Sequence, residues 1–302
     1  MSGVLKSIFA EGFFSSSPVH IALVVGVLGA VVSAGVGVFT VLRGQSFAGH
    51  AFGDIGTAGG SGAFLAGVGP LWGFLVAGVA AAGVMELIGV QRARGRDLAT
   101  GVVLGGALGL AALFLYLTTT SGSTTGAAVT VLFGSAFSTP TSTLPLAFML
   151  AAFSLAVTVI LFRPLLLSSI SPELAAARGI PVRLVGALHL LALAVAMALS
   201  AMTLGTILSS ALLIGPACTA LRISRSPGRA LLSAALIGTL VMAVGILLAY
   251  DSYNWPPKET GWPISFFVVT LILICYLLSG IPAMFARRKG RVAQRRALEV
   301  AA

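Results

Sequence analysis

The chain has 302 residues, of which 58% are hydrophobic and 9% charged, and its mean hydropathy is +1.06. A water-soluble domain carries about 25% charged residues, so this composition excludes a soluble enzyme; the 37 glycines follow no collagen period, and so apolar a chain is not disordered. What remains is an all-α polytopic membrane protein, because at roughly 20 residues per helical span the length holds about eight to ten spans joined by short loops.

Taken in chain order, the N-terminal stretch MSGVLKSIFAEGFFSSSP has no long apolar run and is not expected to be a cleaved signal peptide. Apolar runs then follow at Val19–Leu42, Phe47–Val68, Pro70–Val90 and Leu98–Leu117, punctuated by charges and by Gly or Pro. A short piece, Ala127–Phe137, cannot cross about 30 Å of hydrocarbon as a helix and reads as a re-entrant segment shielded by protein. Further runs at Leu144–Phe162, Leu184–Met202, Leu204–Leu221, Ala230–Tyr250 and Trp262–Gly280 bring the expected total to nine full spans. The chain divides into an N-terminal segment (1–18), a helical membrane domain (19–282) and a basic tail (283–302).

The formal net charge is +10. All basic residues except Lys6 and Lys258 cluster between apolar runs, at Arg43, Arg92–Arg96, Arg163–Arg183, Arg222–Arg229 and Arg287–Arg296. The positive-inside rule puts these loops and the C-terminal tail in the cytoplasm, with the N-terminus outside, and removes nucleic acid as a partner. The loop DSYNWPPKETGW then lies outside, and its Tyr250, Tyr253, Trp255 and Trp262 suit an interfacial aromatic belt. Asp251 and Glu259 in that loop read as solvated charges, the alternative being that they attract a cation or contact an outside partner. Gly101, Gly105 and Gly109 make a G-x-x-x-G face expected to pack against another helix. The two cysteines, Cys218 and Cys275, lie in apolar stretches and read as packing residues.

Ionisable groups at membrane depth cost about 2.5–3.5 kcal/mol each, and only His50, Asp54, Glu86 and His189 fall there. Glu86 is close enough to the Arg92 loop to reach the interface, and His189, alone in an apolar run, reads as a hydrogen-bonded packing residue. His50 and Asp54 are different. Four residues apart, they share one face of a helix about 6 Å apart along its axis. The surrounding Gly49, Gly53, Gly56, Gly59 and Gly60 let a neighbouring backbone or a ligand approach. An imidazole and a carboxylate so placed form half of a transition-metal site, the other half coming from a two-fold partner. The same residues also suit an ion pair stitching two helices together. The polar line Thr203, Thr206, Ser209 and Ser210 lines either a path or a packing face.

No H-E-x-x-H, G-x-S-x-G or Walker P-loop occurs, so neither an intramembrane protease, a hydrolase nor a self-sufficient ATPase is supported. The segment FRPLLLSSISPELAAARGIPVRL, between spans on the cytoplasmic side, reads as a short helix: Ser171 precedes it, Pro172 starts it and Gly179 ends it. Glu173 falls in its first turn and Arg178 near its end, matching the helix dipole. It is either a helix lying on the membrane or one that docks in a groove of a cytoplasmic partner.

Three stretches resemble, in order, the permease subunits of ABC importers for zinc, manganese or iron(II). VLRGQSFAGHAFGDIGTAGG is similar to the family's S-hydrophobic-x-G-D-A-x-S-H segment after the first span. SPELAAARGIPV is similar to its coupling helix, D-P-E-x-A-x-x-x-G, and LGTILSSALLIGPACTALRISRS to its following G-x-x-L-x-x-A-L-L-x-x-P-A-A-T-A span. The resemblance covers residues 20–280. It implies a homodimer in the cell (cytoplasmic) membrane, served by two cytoplasmic ATPase subunits and an extracytoplasmic metal-binding receptor. It also implies no permanently bound cofactor and a divalent metal ion as transported substrate. The chain is then a transport subunit and not itself an enzyme. The family's acid–histidine pair, which lines the metal path, maps onto His50 and Asp54. The coupling role maps onto Glu173 within Ser171, Pro172, Arg178 and Gly179, and path lining onto Thr206, Ser209 and Ser210. Here the pair runs His first and Asp second, and the proline that the family places shortly afterwards is absent. The rival reading is an ion-gradient-driven secondary metal transporter with Asp54 taking up the coupling proton, but such a carrier has no need of the SPELAAARG helix.

Overall fold

The computed structural model describes residue 13 and residues 16–88, 96–121, 126–134, 136–255 and 261–280. Most of the N-terminal segment, the basic tail, Arg92, Arg94 and Glu259 lie outside them. The described residues form α1 (Ser17–Leu42), α2 (Ser46–Leu65), α3 (Pro70–Ile88), α4 (Arg96–Ser121), α5 (Gly126–Phe133) and α6 (Leu144–Ile160). These are followed by α7 (Phe162–Ile170), α8 (Pro172–Ala177), α9 (Val182–Leu204), α10 (Thr206–Ile223), α11 (Pro227–Asp251) and α12 (Ile264–Gly280), with no strand among the described residues. Seven of them (α1, α3, α4, α6, α9, α10 and α11) are long and apolar enough to cross a bilayer. The other two expected spans coincide with α2, which has 20 residues but is rich in glycine and hydroxyls, and with α12, which has 17 residues.

Burial identifies the centre. The most apolar window of α9 is 78% buried and that of α1 is 67% buried, against 11% for α4. Helix α1 packs on α6, α9, α10 and α11, while α9 also packs on α3. Lipid supplies no hydrophobic drive for this association, so close contact and buried hydrogen bonds must hold it. Accordingly a Cβ at Gly37 would collide with the Leu213 carbonyl. Nearby, Ser33 Oγ lies 2.6 Å from Ser200 Oγ, between α1 and α9.

Polar contacts also distinguish the two ends. Arg43 Nη1 donates to Ser168 Oγ at 2.8 Å, bringing the α1–α2 turn to the same end as α7 and α8. This is the arginine-bearing end, which the positive-inside rule assigns to the cytoplasm. At the other end Trp255 packs edge-on against Trp262, with ring centroids 6.2 Å apart, and Trp255 Nε1 donates to Asp251 Oδ2 at 3.3 Å. Trp255 and Trp262 thus pack together in this loop, and Asp251 is tied to them through Trp255.

Helix α5 is the expected short segment, ending at Phe133 instead of running to Phe137; its 8 residues rise only about 12 Å. It docks by its exit. Gly134 has φ +81° and Gly205, the single residue joining α9 to α10, has φ +77°. A Cβ on Gly134 would strike the Thr203 carbonyl, and one on Gly205 the Leu132 carbonyl. Such backbone conformations cost a side-chain-bearing residue of order 1–3 kcal/mol. Gly205→Ala is therefore expected to lower the melting temperature in detergent by roughly 2–8 °C, measured by thermal-shift fluorescence.

One expectation needs correction. Gly101, Gly105 and Gly109 meet nothing within 4 Å: α4 turns Thr100 and Ala111 inward, and its glycine stripe does not face a neighbouring helix of the same chain. Gly101→Ala is the control for Gly205→Ala: it meets no neighbour and replaces glycine in a helix interior, so it should not lower the melting temperature. The short helix expected after Ser171 is α8, and a further helix, α7, precedes it; the extended backbone of Ser171 (φ −148°, ψ 104°) separates the two and caps α8.

Candidate functional site

The α1–α2 turn starts α2 at Ser46, and the helix carries His50 and Asp54 on one face, as their spacing requires. Their side chains are 50% and 19% exposed, and His50 Nε2 lies 3.5 Å from Asp54 Oδ2. That distance is longer than a good N–H···O hydrogen bond of about 2.7–3.2 Å. It nevertheless fits an ion held by both atoms: with bonds of about 2.1 Å, a 3.5 Å separation corresponds to a ligand–metal–ligand angle of about 110°. Both residues belong to α2, so their contact does not stitch two helices together.

The contact between helices is made by α10 instead. Ser210 Oγ lies 3.0 Å from His50 Nδ1. The glycines of α2 permit this approach: a Cβ at Gly53 would come within 2.9 Å of Thr206 O, 3.1 Å of Met197 Cε and 3.2 Å of Ser209 Oγ. Met197 is seven residues, about 10 Å, from the outer end of α9, so the pair sits within the thickness of the bundle.

Outward from the pair runs a ladder of hydroxyls. Thr57 Oγ1 donates to Thr206 Oγ1 at 2.7 Å, and Thr206 Oγ1 donates to the Val131 carbonyl of α5 at 3.3 Å. Ser61 donates to Thr57 O at 2.6 Å and Ser209 to Thr206 O at 2.9 Å, and all four side chains are buried. Thr57 and Ser61 were not singled out by the sequence reading, although the 50, 54, 57, 61 spacing is itself a helical stripe. Thr203 donates to Ser200 O at 3.1 Å. A cavity of about 720 Å³ lies at the outer end, between Phe64, Trp72, Thr130, Thr139 and Met202, and its lining does not include His50 or Asp54.

The remaining ionisable candidates lie elsewhere. His189 is buried with Nε2 3.3 Å from Thr40 Oγ1, the hydrogen-bonded packing role expected of it. Glu86 is partly buried near the end of α3. Among the described residues no group of three or more His, Cys, Asp or Glu comes together. Among the described residues, His50 and Asp54 therefore stand as a pair with no third such ligand beside them.

At the arginine-bearing end, the Ser171 hydroxyl accepts from Leu174 N at 3.2 Å and donates to Glu173 Oε2 at 3.1 Å, capping α8. Ala175 is fully buried and anchors the helix, while Pro172, Glu173 and Leu174 are exposed. Arg178 stands at the C-cap, one residue beyond the helix, and Gly179 ends it with φ +77°.

A family model described as "ABC 3 transport family" matches residues 17–280. The chain is 27% identical over 243 residues to the manganese import system permease protein ScaB of Streptococcus parasanguinis, covering 80% of this chain and 85% of that protein. It is 28% identical over 245 residues to the manganese transport system membrane protein MntC of Halalkalibacterium halodurans, covering 80% and 83%. Among solved structures, a chain of the complex of PsaBC from Streptococcus pneumoniae with a Fab shares the fold, with a TM-score of 0.76 at 24% identity over 91% of this chain and 95% of that chain.

Proposed function

The chain belongs to the ABC 3 transport family, and we propose that it is the membrane-spanning subunit of an ATP-driven importer for a divalent transition metal, with His50 and Asp54 as its metal ligands. Manganese is the first candidate, since the two relatives above are named as manganese importers. The observation that carries this reading is the exposed acid–imidazole pair within the bundle's thickness, its ligand atoms 3.5 Å apart.

That pair is incomplete alone. A divalent ion takes four or more ligands, and ionisable groups turned toward lipid cost about 2.5–3.5 kcal/mol each. Both difficulties are removed if a second copy of the chain covers this face and supplies its own His50 and Asp54 across a two-fold axis. In such a dimer α2 and α12 complete nine spans per chain, and the amphipathic, glycine-rich α2 is sheltered from lipid.

The mechanism follows from the two ends. An ion handed over by an extracytoplasmic receptor exchanges hydration water for the imidazole and carboxylate. Cytoplasmic ATPase subunits dock on α8, whose exposed Glu173 and Leu174 stand above the buried Ala175 anchor. Their closure moves α7 and α8, and through the Arg43–Ser168 hydrogen bond that motion reaches the turn from which α2 starts. The face carrying the pair then opens to the other side.

Proteoliposomes holding the permease and its ATPase should take up Mn²⁺ only with ATP, and should still do so when an ionophore collapses the proton gradient. Uptake driven by an imposed proton gradient without the ATPase would overturn the proposal.

A further inference from the structure

A neutral imidazole has one N–H and one lone pair, and only the nitrogen with the lone pair binds a metal. Which of the two His50 nitrogens is bare is therefore decisive. Nε2 is the one that faces the Asp54 carboxylate, at 3.5 Å, and Nδ1 is the one that faces Ser210 Oγ, at 3.0 Å. Ser210 is buried, on the face of α10 that meets α2. The Ser210 hydroxyl turns across to the His50 ring, whereas its neighbour Ser209 bonds within its own helix, to Thr206 O at 2.9 Å.

We propose that Ser210 is a positioning residue for the metal pair: its hydroxyl accepts from Nδ1–H of His50, holding the proton on that nitrogen and the ring in its plane. Nε2 is thereby bare and aligned with Asp54 Oδ2 as a two-pronged clamp. The inference rests on the reading of His50 and Asp54 as ligands and adds what orients them. Ligating histidines depend on such outer hydrogen-bond partners, whose loss costs about 10–100-fold in metal affinity. The close approach permitted by Gly53 brings the hydroxyl within reach: a Cβ there would lie 2.9 Å from the Thr206 backbone oxygen, and a larger residue would push α10 away.

The test uses the purified full-length permease with its ATPase. Mn²⁺ binding is read from the loss of the free-ion electron paramagnetic resonance signal, and the His50 tautomer from ¹⁵N NMR of histidine-labelled protein loaded with diamagnetic Zn²⁺. With only three histidines in the chain, His50→Ala assigns the His50 signal. Ser210→Ala should weaken Mn²⁺ binding about 10–100-fold and turn the single Nδ1–H signal into a mixture of tautomers. Ser210→Thr should restore both, and His50→Ala should abolish binding. Unchanged affinity and tautomer in Ser210→Ala, alongside lost binding in His50→Ala, overturns the role of Ser210 and leaves the metal pair standing. Binding retained in His50→Ala overturns the metal pair itself. Weakened binding in Ser210→Ala with an unchanged tautomer, not rescued by Thr, means that Ser210 only packs and also overturns the proposal.

Discussion

His50→Ala and Asp54→Ala are each expected to reduce ATP-dependent metal uptake to the level of empty liposomes, a loss of at least about 100-fold, with membrane insertion and ATPase assembly unchanged. A ligand set of two residues per chain has no redundancy, since no third His, Cys, Asp or Glu stands near them among the described residues. Both side chains are partly exposed, so truncation leaves no buried cavity of the kind that costs about 2–5 kcal/mol in a core. Loss of transport therefore cannot be attributed to unfolding. The exchange His50→Asp with Asp54→His restores the order common in the family and keeps both ligand types on one helix face. It should retain uptake while shifting the preference among Mn²⁺, Zn²⁺ and Fe²⁺, because the shorter carboxylate then sits opposite Ser210. Radiotracer uptake across the three metals checks both results. Normal uptake by either single variant would remove the pair from the path.

The sequence displays the helical architecture clearly and the relations between helices poorly. Hydrophobic runs between arginines locate every long helix to within a few residues, because a bilayer demands about 20 apolar residues per span. The Ser171–Pro172 start and Gly179 stop of α8 were legible for the same local reason: capping and positive φ are properties of single residues. Tertiary facing is another matter. Gly101, Gly105 and Gly109 carry a packing pattern, yet whether a small-residue stripe meets a neighbour depends on how the whole helix is rotated, and α4 turns it outward.

The site divides along the same line. His50 and Asp54 stood out because ionisable groups are scarce in so apolar a chain, and their spacing alone put them on one face. Ser210 was visible only as one of several hydroxyls. Its contact with His50 joins residues 160 positions apart and depends on the glycines that let α2 approach α10. The Thr57–Thr206 bond was hidden similarly, by a separation of 149 positions.

Glu173→Arg should abolish uptake and loosen the ATPase from the permease while leaving the membrane helices intact. Glu173 is exposed in the first turn of α8, at the positive end of the helix dipole, where its carboxylate also accepts from Ser171 Oγ at 3.1 Å. Reversing the charge removes that bond and sets a cation against the dipole, a local cost of about 0.3–1 kcal/mol. If the ATPase docks on α8 as proposed, the change also presents a positive charge where the partner would meet a negative one, and like-charge juxtaposition at an interface costs several kcal/mol. The second effect exceeds the first, so docking should fail before the helix does. Glu173→Gln separates them: it keeps a side-chain acceptor for Ser171 and introduces no repulsion, so it should retain most ATPase binding, with uptake reduced less than about tenfold. Co-purification of the ATPase on an affinity-tagged permease, with ATP-dependent uptake measured on the same preparations, gives both readings. A Glu173→Arg permease that still retains its ATPase and transports at the native rate would make α8 a helix resting on the membrane surface and move the docking site elsewhere on the cytoplasmic face.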